Sequence, residues 1–197
     1  ISQINMLEDN DNDSNGDNAT PQRPTVAELL EEIRVVSKRS RSSFDAIVIA
    51  GEGEPTLRWK ELLQLTERLK EQQQQQEQQH EQTTILRVTT NGLAVADNGA
   101  EILQAAGVNA VSVALMTNDP VLYNELMQPE LVRSSSSSSK ELQAHERVCR
   151  FIQQAIQVGL EVEVTGVDRE EVNKAETEAL AISLGVTEPV RWRSYHP

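Results

Sequence analysis

The sequence predicts an α/β fold built on a parallel sheet or partial barrel, and three observations lead there. Short apolar runs alternate with longer runs of helical period along most of the 197 residues. The apolar runs are continuous rather than alternating, so their strands need helices over at least one face. Glycines, prolines and small polar residues punctuate the boundaries, and right-handed crossovers are the natural way to join such strands in parallel.

The elements follow in order. Thr25 and Glu28 form a capping box for a helix whose stripe is Val26, Leu29, Leu30, Ile33 and Val36. Phe44 and Ala46 to Ile49 make a short strand, followed by a helix from Leu57 to Leu69 with Leu62, Leu65 and Leu69 on one side. Ile85 to Thr89 is the next strand and Asn91-Gly92 ends it. Asp97 is the expected cap of a short helix bearing Ile102, Leu103 and Ala106, stopped by Gly107. Val108 to Leu115 is a strand, and Asp119-Pro120 opens a helix. Lys140 to Val158 is a long helix with Leu142, His145, Cys149, Ile152 and Ile156 on its stripe. Leu160 to Val164 is a strand, Asp168 or Arg169 opens an acidic helix, Gly185 stops it, and Val190 to Trp192 is the last strand. The series is a helix and then five strands with four helical connections. Functional residues are expected at the C-terminal strand ends.

Composition narrows the function. The net charge of -13 argues against a large nucleic-acid surface, because phosphates need Lys and Arg. No apolar run is long enough to span a bilayer and no signal-peptide pattern is present, so the expected location is the cytoplasm or an organelle interior. One cysteine leaves no disulfide framework. There is no pair of histidines at metal spacing and no Walker lysine after the glycines, which disfavours zinc-hydrolase and P-loop readings.

Three stretches stand apart. Residues 1–22 read as a disordered acidic segment, with Glu8, Asp9, Asp11, Asp13 and Asp17 unopposed by nearby basic residues. Low-complexity inserts follow at 71–82 (glutamine and glutamate) and 134–139 (serine), within one domain spanning 23–197. The glutamine run either extends the preceding helix or hangs free.

Residues 44–58, FDAIVIAGEGEPTLR, resemble the second strand and following loop of radical S-adenosylmethionine (SAM) enzymes, with Gly51-Glu52-Gly53-Glu54-Pro55 similar to their Gly-Gly-Glu-Pro motif. Thr89 to Leu93 resembles the Thr-Asn-Gly end of the third strand, and Ala110 to Leu115 with Asn118-Asp119-Pro120 resembles the fourth. Val164 to Asp168 and Val190 to Pro197 are similar to the fifth and sixth strands, most of all in the branch associated with TatD-type nucleases. The resemblance covers about residues 23 to 197. It implies a partial (β/α)6 TIM-like barrel with parallel strands, whose first strand and cluster loop are missing from this chain.

It also implies SAM as cofactor and a [4Fe-4S] cluster held by Cys-x3-Cys-x2-Cys after the first strand. No cysteine occurs in residues 1 to 43, so the cluster is expected only from residues upstream of Ile1. The first residue is not methionine, and the chain is expected to begin inside a longer product or after processing. In the complete protein the implied activity is reductive cleavage of SAM to a 5'-deoxyadenosyl radical, which takes a hydrogen from an unknown substrate. An electron donor is the implied partner, and a TatD-type nuclease is associated through the branch alone. Two alternatives stand: a cluster-less homologue that binds a ligand or protein, and an unrelated (β/α) isomerase or hydrolase. The fragment is expected to be inactive and to leave an unpaired sheet edge.

The cofactor-binding residues implied by the resemblance are Gly51, Gly53, Glu54, Asn91, Ser112, Asn118, Thr165 and Gly166. Gly51 and Gly53 allow close backbone approach, and Glu54 can accept a charge-assisted bond from the methionine ammonium. Asn91-Gly92 is equally a turn signal. Ser112 faces the barrel lumen if it alternates with Val111 and Val113. Ala114 stands where the family often has a polar residue, which makes Asn118 the substitute. Thr165 and Gly166 lie where the fifth strand meets adenine, and Asp168 reads equally as a helix cap. Cys149 and His145 read as packed helix residues, no residue is assigned a catalytic role, and no metal ligand is assigned.

Overall fold

The computed structural model describes residues 2–5, 24–40, 45–51, 53–77, 84–127 and 141–195. Among them, six strands form one sheet in sequential order: β1 Ser2–Asn5, β2 Ala46–Ala50, β3 Ile85–Thr90, β4 Ala110–Ala114, β5 Glu161–Asp168 and β6 Arg191–Ser194. Every neighbouring pair is parallel. The helices are α1 Val26–Ser40, α2 Trp59–Glu77, α3 Gly99–Ala105, α4 Pro120–Met127, α5 Glu141–Gln157 and α6 Lys174–Ser183, with a 3-10 turn Pro55–Arg58 before α2.

Sequential order with crossovers of one hand stacks the helices on one face of the sheet. This is the winding of a barrel, and the chain is α/β with part of a parallel barrel. The strand side chains divide accordingly. Ile47, Ile49, Leu86, Val88, Val111, Val113 and Val164 are buried, and they join Leu62, Leu65, Leu103 and Ile152 in one core. Leu62 and Leu65 are fully buried, so truncation of either to Ala is expected to cost about 2–5 kcal/mol. The alternate strand positions carry Arg87, Ser112, Glu161, Glu163 and Arg191, so the opposite face is polar.

Local signals explain most boundaries. The Thr25 backbone N–H donates to Glu28 Oε2 at 2.8 Å, and Glu28 N–H returns a bond to Thr25 Oγ1 at 3.3 Å. Asp119 Oδ1 accepts from Val121 N–H at 2.8 Å at the start of α4. Gly107, Gly159 and Gly185 follow α3, α5 and α6 with φ of 98°, 83° and 100°.

Two helix starts are corrected. Asn98, not Asp97, stands at the head of α3 and makes no side-chain cap bond. β5 runs on to Asp168, so α6 opens only at Lys174, capped by Asn173 Oδ1 accepting from Glu176 N–H at 3.2 Å. Asp168 instead pairs with Lys174 at 2.6 Å.

The expected absence of the first strand is also corrected. Ser2–Asn5 runs parallel to β2, in the register Ser2 to Ile47 through Asn5 to Ala50, and covers the edge expected to be bare. Four residues of mixed polarity are too short to show a hydrophobic period, and an edge strand needs only one partner. The rest of the acidic segment and the serine run lie outside the described residues. α2 extends into the glutamine run as far as Glu77, and Gln73 Nε2 donates to the Thr84 carbonyl at 3.0 Å, tying the helix to the start of β3. Among the described residues, no helix is long and apolar enough to cross a membrane.

Candidate functional site

The parallel strands bring their C-terminal ends to one edge, and the Gly-x-Gly-Glu-Pro loop leaves β2 there. Its centre is Glu54, a buried carboxylate. Glu54 Oε1 accepts from Thr56 N–H at 3.0 Å, Thr56 Oγ1 at 2.6 Å and Thr90 Oγ1 at 2.7 Å, while Oε2 accepts from Asn91 N–H at 2.6 Å. An ionised carboxylate offers about four lone-pair sites, so these donors occupy it. Glu54 thus caps the 3-10 turn and fastens the β2 loop to the end of β3. Thr90 Oγ1 in turn accepts from Gly92 N–H at 3.0 Å, and Asn91 Oδ1 accepts from Leu93 N–H at 2.9 Å. Gly92 takes φ +74°, the left-handed turn that Asn-Gly announces. Gly51 and Gly53 flank this knot, both half-buried.

Ser112 sits on the polar sheet face, two residues before the end of β4. Its hydroxyl donates to Glu163 Oε2 at 2.5 Å and receives Arg87 Nη1 at 3.4 Å. Glu163 also accepts Arg191 Nε at 2.6 Å and Nη2 at 3.1 Å, and Arg87 pairs with Glu161. One polar row therefore crosses β3, β4, β5 and β6. Burial pushes the Glu163 carboxyl up, but the Arg191 and Ser112 hydrogen bonds and the charges of Arg191 and Arg87 outweigh it and hold it below the usual value.

Thr165 lies on the same face, one layer nearer the C-terminal edge, with Ala114 and Arg191 as its register neighbours. Its hydroxyl is buried and has no hydrogen-bond partner among the described residues. Such an orphan costs about 1–3 kcal/mol. Gly166 faces the helix side, where a Cβ would stand 2.4 Å from the Trp192 ring, so the indole fills the space the glycine leaves. Trp192 Nε1 donates to Glu178 at 2.8 Å, fixing the ring against α6. Asn118, in the loop after β4, is held by α6: its N–H donates to Thr177 Oγ1 at 3.1 Å and its Nδ2 to Glu176 at 3.0 Å.

The eight expected residues thus divide into three groups. Gly51, Gly53, Glu54 and Asn91 meet at the ends of β2 and β3, Ser112 and Thr165 share the polar face, and Gly166 and Asn118 turn to the α6 side. A cavity of about 650 Å³ lies at the other end of the sheet, between the starts of β5 and β6, lined in part by Arg87, Glu161, Glu163, Val190 and Arg191. None of the eight lines it, so its size is no guide to the C-terminal edge. Sequence reading missed Glu163, Arg87 and Thr90. The signal lay in Glu161-Val162-Glu163-Val164, whose period of two marks a strand with one charged face.

The residues do not fit an iron–sulfur cluster. The single cysteine, Cys149, lies on α5, where burial pushes its thiol up to about 11. His145 Nε2 donates to the Thr117 carbonyl at 3.1 Å, which fixes the N–H there and leaves Nδ1 to accept from Cys149 Sγ at 3.9 Å. Burial also lowers the His145 pKa, in keeping with a neutral ring. Among the described residues, no group of three or more His, Cys, Asp or Glu is arranged to hold a metal. For SAM the fit is partial: the Thr165 hydroxyl is uncommitted, whereas Glu54 and Ser112 are engaged within the protein.

No known family model matches the chain. The chain is similar to the "Probable GTP 3',8-cyclase" of Methanocaldococcus jannaschii, 35% identical over 97 residues. That match takes in 49% of this chain and 28% of the relative's length. Among solved structures, the coproporphyrinogen III oxidase of Escherichia coli, described as a radical SAM enzyme, gives a TM-score of 0.45 at 14% identity, covering 77% of this chain and 32% of that one. A dipeptide epimerase from Methylococcus capsulatus gives 0.32 at 13% identity, over 86% and 53%. Neither structural score is high enough to bear on the chemistry.

Proposed function

We propose that this chain is a SAM-binding core of the radical SAM type, with the cofactor lying along the C-terminal edge of β2 to β5. The observation that carries the reading is the β2 loop: a Gly-x-Gly-Glu-Pro sequence fastened by Glu54 to the Asn91-Gly92 turn of the next strand. The 35% identity to a cyclase over 97 residues supports the superfamily, not the branch associated with TatD-type nucleases. Gly51 and Gly53 offer backbone atoms to the cofactor, Glu54 holds the loop in place, and Thr165 offers a hydroxyl.

The chemistry that the resemblance implies needs three thiolates, which this chain does not carry. For these residues the proposal stops at holding SAM. Reductive cleavage and hydrogen abstraction are proposed only for a protein in which a three-cysteine segment accompanies this barrel. A second reading, a cluster-less binding module, is favoured by one observation: β1 lies beside β2, and the sequence joining it to α1 contains no cysteine.

A thermal-shift titration tests SAM binding. A ligand that binds the native state alone raises Tm with concentration, by about 2.7 kcal/mol of stability at 100 times Kd. A rise with SAM and none with ATP is expected; no rise with SAM contradicts the proposal.

A further inference from the structure

β5 overhangs its last neighbour. It begins at Glu161, whereas its pairing with β6 begins only at Thr165, opposite Arg191. Residues 161–164 therefore have a strand partner on the β4 side alone. Pro189 accounts for the late start of β6, because a proline has no N–H to give to a ladder. Backbone groups along a parallel strand bond alternately to its two neighbours. Glu161 N–H donates to the Asn109 carbonyl at 3.0 Å, and the Thr165 carbonyl accepts from Leu115 N–H at 3.0 Å. Val162 falls between them in phase, so its N–H and C=O point away from β4, to the side where β6 has not begun. Among the described residues, no backbone bond from the loop 184–190 reaches them.

The cavity of about 650 Å³ occupies this notch, with Val162 in its wall. Its volume is in the range that holds a ligand. The core residues Leu160, Val186 and Val190 make one wall apolar. The other carries Arg87 and Arg191 against Glu161, Glu163 and Glu188, one carboxylate more than the guanidiniums. Both guanidiniums are already paired, Arg87 with Glu161 and Arg191 with Glu163. Glu188 is exposed and joins no ion pair among the described residues, so the unmatched charge at the mouth is negative.

We infer that the notch is a strand-addition site for an extended basic peptide segment. The segment's backbone bonds to Val162, its apolar side chains enter the cavity, and a Lys or Arg meets Glu188. An anionic ligand would have to displace Glu163 from Arg191, and a purely apolar one would leave the Val162 backbone groups unpaired. At a rise of about 3.3 Å per residue the overhang matches a peptide of about four residues. The site lies at the opposite end of the sheet from the edge proposed for SAM, and the inference does not rest on that reading.

The test is amide NMR titration of the chain with the probe peptide acetyl-Val-Lys-Val-Lys-Val-amide. The expected result is a saturable shift of the Val162 amide and of the amides at 187, 188 and 190, with hydrogen exchange at Val162 slowed by the peptide. Methylating the nitrogen of the central valine removes a strand hydrogen bond and should weaken binding about tenfold. The acidic peptide acetyl-Val-Glu-Val-Glu-Val-amide should give no shift at Val162. Glu188→Lys, an exposed change that leaves the fold intact, should weaken the basic peptide about threefold to fivefold, as for an exposed ion pair. No shift at Val162 with the basic peptide overturns the inference. So does equal binding of the N-methylated peptide, or equal binding of n-butylamine, which would mean that the notch reads charge without a strand. A dimer of the chain that the peptide does not dissociate would give the notch to a second copy and also overturns it.

Discussion

Thr90 donates its hydroxyl to Glu54 Oε1 at 2.7 Å, joining the end of β3 to the loop after β2 across 36 residues of sequence. The bond is buried and charge-assisted, and it belongs to a four-donor set around one carboxylate. Glu54→Gln keeps the shape but turns an amide N–H₂ toward groups that themselves donate. It is expected to cost about 1.5–3 kcal/mol in urea unfolding, as for hydrogen bonds to charged groups. Thr90→Val should cost less, because Glu54 retains its other donors. A Glu54→Gln change under 0.5 kcal/mol, within the range of ordinary surface substitutions, would remove Glu54 from this role.

Gly166 and Trp192 are matched in size. Adding a methyl at Gly166 puts carbon 2.4 Å from the indole, and overpacking of this kind costs about 1–3 kcal/mol. Gly166→Ala combined with Trp192→Leu should be less destabilised than the two single changes summed, measured as a double-mutant cycle. Strict additivity would show that ring and glycine do not meet.

Glu163 gives a pH signature. Its folded pKa lies below the ordinary carboxylate value, so it contributes stability above that value and loses it as pH falls through the lowered folded pKa. Unfolding free energy measured from pH 6 down to 3 should therefore fall more steeply in the native chain than in Glu163→Gln. Parallel curves would mean that Arg191 and Ser112 do not hold this carboxylate in solution.

Cys149 should be slow to react. Burial pushes its thiol up to about 11, and burial also lowers the pKa of its neighbour His145. Labelling by iodoacetamide at pH 8 is expected to be much slower in the folded chain than in urea, since only the thiolate attacks. Equal rates would mean that the folded chain leaves the Cys149 thiol as open to reagent as the unfolded chain does.

The sequence told most about elements with a long period or a strong cap. Thr25 with Glu28, Asp119-Pro120 and the three helix-ending glycines mark boundaries that the fold keeps. The parallel order followed from continuous apolar strands. β1 was not legible, because four residues of mixed polarity have no measurable period and an edge strand borrows its order from β2. The start of α6 was misread because Asp168 and Asn173 are both good caps, and the extra length of β5 decides between them. At the site, the motif located the loop. Its inner hydrogen bonds were not legible, because Glu54 could as well have faced solvent until β3 was known to lie beside it. Nor does Ser112 alone reveal that Glu163, 51 positions away, accepts its hydrogen bond.

The central claim is positional: an adenosyl ligand sits at the C-terminal ends of β2 to β5. Photo-crosslinking with an 8-azidoadenosyl analogue of SAM, followed by peptide mass spectrometry, tests it most directly. Adducts are predicted on the segments around Gly53, Asn91 and Thr165, reduced by excess SAM. Adducts confined to the cavity at the opposite end, around Glu161 and Val190, or labelling that SAM does not reduce, would contradict it.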